Sequence, residues 1–161
     1  MKRPEKISPV RLLPAILLFL AVILVGCGAG DESEEQPAAI DGEGISVEGS
    51  WVRPARAGRM SAGYFLITNF EDVDDTLTGI SSGAAELTEI HESYEREEGM
   101  MGMREVPELT IPAQSTVTFE PGGLHIMFIQ VSQSIEEGDQ VEVTLHFANY
   151  GDLAVELPVR Q

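Results

Sequence analysis

The sequence holds one cysteine, Cys27, so no intrachain disulfide is possible and the fold must stand on its core. Cations are scarce beyond the N-terminus. Lys2, Arg3, Lys6 and Arg11 fall in the first eleven residues. After them the chain has no lysine and only six arginines: Arg53, Arg56, Arg59, Arg96, Arg104 and Arg160. The net charge is −17; removing residues 1–26, with four basic groups and one acidic group, leaves −20. Such a surface repels phosphate backbones and argues against a nucleic-acid partner. Sustained helical periodicity is absent, as are internal repeats. No Ser-His-Asp or Cys-His pattern appears, and there are only three histidines.

What is present begins with a leader. Four positive charges are followed by an apolar run from Leu12 to Val25, broken only by Pro14, and then by Leu24-Val25-Gly26-Cys27. This is the layout of a secretory signal over residues 1–26. The cysteine directly after the small residues resembles the lipobox of bacterial lipoproteins, which implies that Cys27 is lipidated and begins the mature protein. An uncleaved transmembrane anchor from Leu12 to Gly30 is the alternative. Either way the rest of the chain lies outside the cytoplasmic membrane, and the lipoprotein reading holds it, in a periplasm or at the outer face of the cell, through lipidated Cys27. Residues 28–44 are rich in Gly, Ala and acids and read as a disordered tether following the lipidated cysteine.

From Ile45 to Gln161 the chain reads as one all-β domain, a sandwich or barrel. Short alternating runs are separated by Gly, Pro, Asn and Asp about every ten residues. Strands are expected near 45–53, 61–70, 76–81, 86–94, 101–105, 115–120, 124–131, 140–147 and 153–159. In the clearest, Val141, Val143, Leu145 and Phe147 face one side and Glu142, Thr144 and His146 the other. Glu92–Glu98 reads as a short helical or irregular excursion.

The strand Leu124-His-Ile-Met-Phe-Ile-Gln-Val131 carries the chemistry. Leu124, Ile126 and Phe128 make a core face, which sends His125 and Met127 together to the other side. An imidazole and a thioether at neighbouring positions of a rigid strand are half of a metal site. The other half must come from elsewhere: His91 lies near the end of a strand, and Gly99-Met100-Met101-Gly102-Met103 follows. Glycines around those methionines let the backbone approach a ligand closely. Thioether sulfur is soft and suits Cu(I), whereas zinc sites want Cys, His or carboxylate and calcium sites want oxygens. A blue-copper electron carrier would need a cysteine thiolate, and the one cysteine is in the leader.

His91, eleven residues, Met103, twenty-one residues, His125, one residue and Met127 together resemble the H(M)x10Mx21HxM signature of the periplasmic PCu(A)C copper chaperone family. The flanking text is similar as well: Trp51-Val-Arg-Pro54, Gly63-Tyr-Phe-Leu-Ile-Thr-Asn69, Glu89-Ile-His-Glu92, Ile111-Pro-Ala113, Pro121-Gly-Gly-Leu-His-Ile-Met127 and Glu137-Gly-Asp139. The likeness spans about residues 45–159. One optional element departs, since Glu92 and not Met follows His91. The resemblance implies a cupredoxin-like Greek-key β-barrel and one Cu(I) ion held by His91, Met103, His125 and Met127. It further implies a monomeric, non-enzymatic metallochaperone that delivers copper to the dinuclear copper site of cytochrome c oxidase, directly or with a thiol-bearing copper chaperone. A copper-scavenging or resistance lipoprotein, or a β-sandwich interaction module without metal, are the competing functions.

Other residues carry blander expectations. Met100 and Met101 are either auxiliary ligands or an apolar lip for a partner. Met60 is expected to pack, His146 to sit solvated on the surface, and Trp51 to anchor the core. Glu92 is either a hydrogen-bond partner of a ligating histidine or a solvent-facing carboxylate.

Overall fold

The computed structural model describes residues 42–96 and 99–161; the leader, Cys27 and nearly all of the tether lie outside these. Ten strands follow one another: β1 (Ile45–Val52), β2 (Ser61–Asn69), β3 (Asp75–Ser81), β4 (Ala85–Glu95), β5 (Met101–Glu105), β6 (Leu109–Ile111), β7 (Ser115–Phe119), β8 (Leu124–Val131), β9 (Gln140–Phe147) and β10 (Gly151–Pro158). They form a six-stranded sheet in the order β1-β2-β7-β8-β4-β5 and a four-stranded sheet in the order β10-β9-β3-β6. The chain crosses between the sheets after β2, β3, β5, β6 and β8. The all-β, two-sheet architecture expected from the turn spacing is therefore the one found.

The two sheets bury one core. Alternation places Val141, Val143, Leu145 and Phe147 of β9 inside, against Phe65, Ile67, Ile90, Ile126 and Phe128 of the other sheet. Burial on this scale supplies the stabilisation that no disulfide provides, about 1.5–3 kcal/mol for each fully buried large apolar side chain. At Gln130 the backbone adopts φ 55°, and Val131 takes the inward place.

Three differences from the expected elements have local causes. β6 is three residues long and lies between Pro107 and Pro112, too short to register as alternation. Its Ile111 is nonetheless fully buried and pairs with Asp75 of β3. β4 runs on to Glu95, through residues expected to be irregular, because β5 pairs with it from His91 to Glu95. β10 begins at Gly151, two residues early, where a glycine with φ 93° closes the hairpin from β9.

The stretch between β7 and β8 positions the site. Both strands run antiparallel to β2, β7 along Phe65–Asn69 and β8 along Ser61–Gly63. Between them Glu120–Gly123 turns out of the sheet, closed by bonds from Gly123 N–H to Glu120 O (3.0 Å) and from Glu120 N–H to Leu124 O (2.7 Å). Gly122 holds φ 88° there, a left-handed conformation that favours glycine.

Candidate metal centre

Strand register brings the candidate residues onto one surface. Ile90 of β4 lies opposite Ile126 of β8, and both are buried in the core. The neighbouring pairs, His91 opposite His125 and Glu89 opposite Met127, must therefore point away from the core. On the next strand Met103 lies opposite Ser93, which shares the His91 face of β4. On the other flank, Ala62 of β2 lies opposite Met127. His91, Met103, His125 and Met127 thus share the outer face of the six-stranded sheet, beside its β5 edge.

The two imidazoles are close enough to share an ion. Their ring centroids are 6.0 Å apart. With metal–nitrogen bonds of about 2.0–2.1 Å, an ion sits about 3.2 Å from each ring centre, so two rings holding one ion lie up to about 6.4 Å apart.

Each ring is also oriented by a partner on one nitrogen. His125 donates its Nδ1–H to the carbonyl of Gly123 at 3.0 Å, which leaves the lone pair on Nε2. Gly123 directly precedes β8, and its carbonyl also accepts the Ser93 N–H of β4 at 3.1 Å. His91 holds its Nε2 2.8 Å from Oε2 of Glu89. A carboxylate accepts, so the proton is on Nε2 and the lone pair on Nδ1. That Nδ1 is buried and has no hydrogen-bond partner among the described residues. A buried acceptor left unpaired costs about 1–3 kcal/mol, and a soft cation is one way to satisfy it. Both histidines therefore have the form of ligands held by a second group.

A cleft of about 370 Å³ opens over this face. His125, Met103 and Met127 line it together with Met60, Tyr64 and Ser93. His125 is only 5 % exposed, whereas Met103 is 54 % exposed. Tyr64 stacks on Trp51 at 4.6 Å between ring centres and stands 6.4 Å from the ring of His125. Burial raises the Tyr64 hydroxyl above its ordinary pKa, and the Arg53 guanidinium, 5.5 Å from the ring centre, partly opposes this. Among the described residues no three His, Cys, Asp or Glu side chains come together as around a zinc or calcium ion.

Glu92 takes the solvent-facing of its two expected roles, while Trp51 and Met60 depart from expectation. Glu92 does not touch a histidine; it pairs with Arg104 at 2.5 Å on the surface, because it lies one residue out of phase with His91. Glu89 takes the supporting role, and being two residues before His91 it shares its face by simple alternation. Trp51 is half-buried on the outer face, under Arg160 at 5.4 Å, and is not part of the core. Met60 does not pack inside; it is 62 % exposed. Met100 and Met101 are exposed too, and Met101, opposite Glu95, shares the Met103 face of β5.

His146 lies on the surface as expected, but not alone. It contacts Asp152 through Nδ1 at 2.7 Å and Ser81 through Nε2 at 2.8 Å. This Ser-His-Asp chain, invisible as a sequence pattern, lies on the outer face of the second sheet. Its aspartate is 70 % exposed, so water screens the pair.

The fold has close parallels. The copper-bound PCuAC domain from PmoF2 superposes with a TM-score of 0.60 at 24 % identity, over 75 % of this chain and 96 % of that one. The CuI-DR1885 protein from Deinococcus radiodurans superposes with a TM-score of 0.57 at 28 % identity, over 73 % of this chain and 80 % of that one. The architecture is thus the cupredoxin-like sandwich of PCuAC domains. In sequence, the "Putative lipoprotein Lxx21020" of Leifsonia xyli subsp. xyli is 30 % identical over 152 residues, 93 % of this chain and 90 % of the relative. The family described as "Putative lipoprotein LpqE-like" matches residues 45–159. With a family match over most of the domain and a relative similar along nearly the whole chain, the protein belongs to the LpqE-like lipoprotein family.

Proposed function

We propose that this protein is an extracytoplasmic copper carrier. It binds one Cu(I) ion with the Nδ1 of His91, the Nε2 of His125 and the thioether sulfurs of Met103 and Met127. One observation carries the reading. His91 and His125 face each other across β4 and β8 with their lone-pair nitrogens left free, on the same sheet face as both methionines. Two neutral imidazoles and two thioethers suit Cu(I) and add no charge to the ion. The likeness to the copper-bound PCuAC domain from PmoF2 and to CuI-DR1885 supports the same assignment.

The ion is cargo, and the site is built for its exchange. Histidines held by Glu89 and Gly123 keep their geometry when the ion leaves, so reloading needs little rearrangement. Met103 lies exposed at the cleft, where an incoming thiolate or imidazole of a recipient can displace it. Residues 1–26 are the secretory signal, Cys27 carries the lipid that anchors the protein to the membrane, and 27–44 tether the domain 45–161. The lipoprotein names of the family and its relative support the anchor. The recipient we favour is the dinuclear copper site of cytochrome c oxidase.

A Cu(I) titration of the full chain in detergent, against a chromogenic Cu(I) chelator and beside Met103→Ala and His125→Ala, tests the reading. One-to-one binding that weakens in both variants is expected. Absent binding, or binding indifferent to both substitutions, would sink it.

A further inference from the structure

We propose that Met60 is a fifth copper donor, outside the four-residue set, which takes the ion at the mouth of the cleft and yields it to His91. The inference rests on the Cu(I)-carrier reading of the site.

Position comes first. Met60 directly precedes β2, whose Ala62 lies opposite Met127 of β8. Residues 60, 62 and 64 alternate to the same face, so Met60 occupies the diagonal position next to Met127. Diagonal neighbours lie about 7–8 Å apart at Cα, within reach of a long side chain. The small side chain of Ala62 between them leaves that path open. The outcome is visible in the cleft, which Met60 lines together with Met103, His125 and Met127.

Exposure then orders the donors. Met60 is the most open of them and Met103 follows; His125 is nearly covered. His91 does not line the cleft, and its free Nδ1 is buried. An ion arriving from solvent or from another protein meets three thioethers and one imidazole before it meets His91. Two donor sets therefore share Met103, His125 and Met127 and differ in one member: Met60 on the outside, His91 on the inside.

The chemistry of the exchange balances. Cu(I) keeps its oxidation state, one sulfur–copper bond breaks and one nitrogen–copper bond forms. The proton of His91 stays on Nε2 beside Glu89, so none is released. Imidazole is the stronger donor, which favours the inner set at rest. Thioether is neutral, soft and carried on three rotatable bonds, which suits the outer, transient position. This also gives a reason for a large apolar side chain to stand exposed at the rim of the cleft.

The test is copper-edge X-ray absorption and chelator competition on the Cu(I)-loaded full chain, in four forms: wild type, Met60→Leu, His91→Ala and the double variant. Met60 is exposed and Leu conserves its volume, so the fold is preserved. With His91 removed, the ion should show sulfur scattering from three thioethers, because Met60 enters the shell. The double variant should show two, and should bind at least about tenfold more weakly than His91→Ala alone, a coupling between the sites. Met60→Leu alone should slow the transfer of copper to the chelator, and should cost less affinity than the same substitution does in the His91→Ala background. Two-thioether scattering in His91→Ala, with no further loss in the double variant, would overturn the role of Met60 while leaving the carrier reading intact. A wild-type chain that takes up no Cu(I) would overturn both.

Discussion

Oε2 of Glu89 stands 2.8 Å from Nε2 of His91, two residues along the same strand and on the same face. The carboxylate fixes the ring's tautomer and leaves Nδ1 as its lone-pair nitrogen. On the copper-carrier reading, Glu89→Gln should weaken Cu(I) binding by about 10–100-fold, the usual effect of removing a group that orients a ligating histidine. Glu92→Gln, one residue out of phase, should leave affinity unchanged. Chelator competition on both variants separates the two carboxylates.

Proposed ligands and core residues alternate along β8, so their substitutions should fail in different assays. Met127→Leu and Met103→Leu should each cost at least about tenfold in Cu(I) affinity, or about 1.4 kcal/mol. Both should melt within about 0.5 kcal/mol of the wild type in the absence of copper. Ile126→Ala, between His125 and Met127 but fully buried, should instead cost about 2–5 kcal/mol of stability. Thermal unfolding with and without Cu(I) reads both effects.

Asp75 is buried at the start of β3, and its carboxylate accepts three backbone N–H groups: Thr76 at 2.7 Å, Asn149 at 2.9 Å and Tyr150 at 2.8 Å. It ties β3 to the hairpin between β9 and β10, in the sheet that does not carry the proposed copper ligands. Asp75→Ala strands all three donors. A loss of about 3 kcal/mol is expected, lowering the melting midpoint by about 10–20 °C, with Cu(I) affinity unaltered.

Tyr64 couples stability to alkaline pH. Burial raises its hydroxyl pKa above the ordinary 10.0, so the folded state holds this proton more tightly than the unfolded chain. The stability it contributes is complete below pH 10.0 and is lost as pH climbs toward the folded value. Melting midpoints followed into the alkaline range should therefore fall more steeply for the wild type than for Tyr64→Phe. Parallel curves would contradict the burial argument.

Much of this was legible in the sequence. Period-two alternation located nine strands and separated Ile126 and Phe128 from His125 and Met127. The same alternation would have chosen Glu89 over Glu92 as the partner of His91, since only residues two apart share a face. What stayed hidden depends on pairing between distant segments. β6 exists because Ile111 fills a place beside β3, not because three residues between prolines favour a strand. Met60 meets the site only because β2 lies against β8. The Ser81–His146–Asp152 chain follows from the registers of β3, β9 and β10, with Ser81 opposite Thr144 and Asp152 opposite His146. Neither register is written in any one segment.

The carbonyl of Gly123 accepts two donors, the Ser93 N–H of β4 and the Nδ1–H of His125 on β8. One oxygen therefore clasps a strand to its neighbour and sets the tautomer of a candidate ligand. β4 carries the edge strand β5 on its outer side, and sheet edges open at lower free energy than centres. Fraying that starts at β5 and reaches Ser93 loosens the clasp and frees the His125 ring while the core between the sheets stays closed. Warming should thus empty such a protein before it melts, with the hold on its passenger a softer property than the fold that presents it.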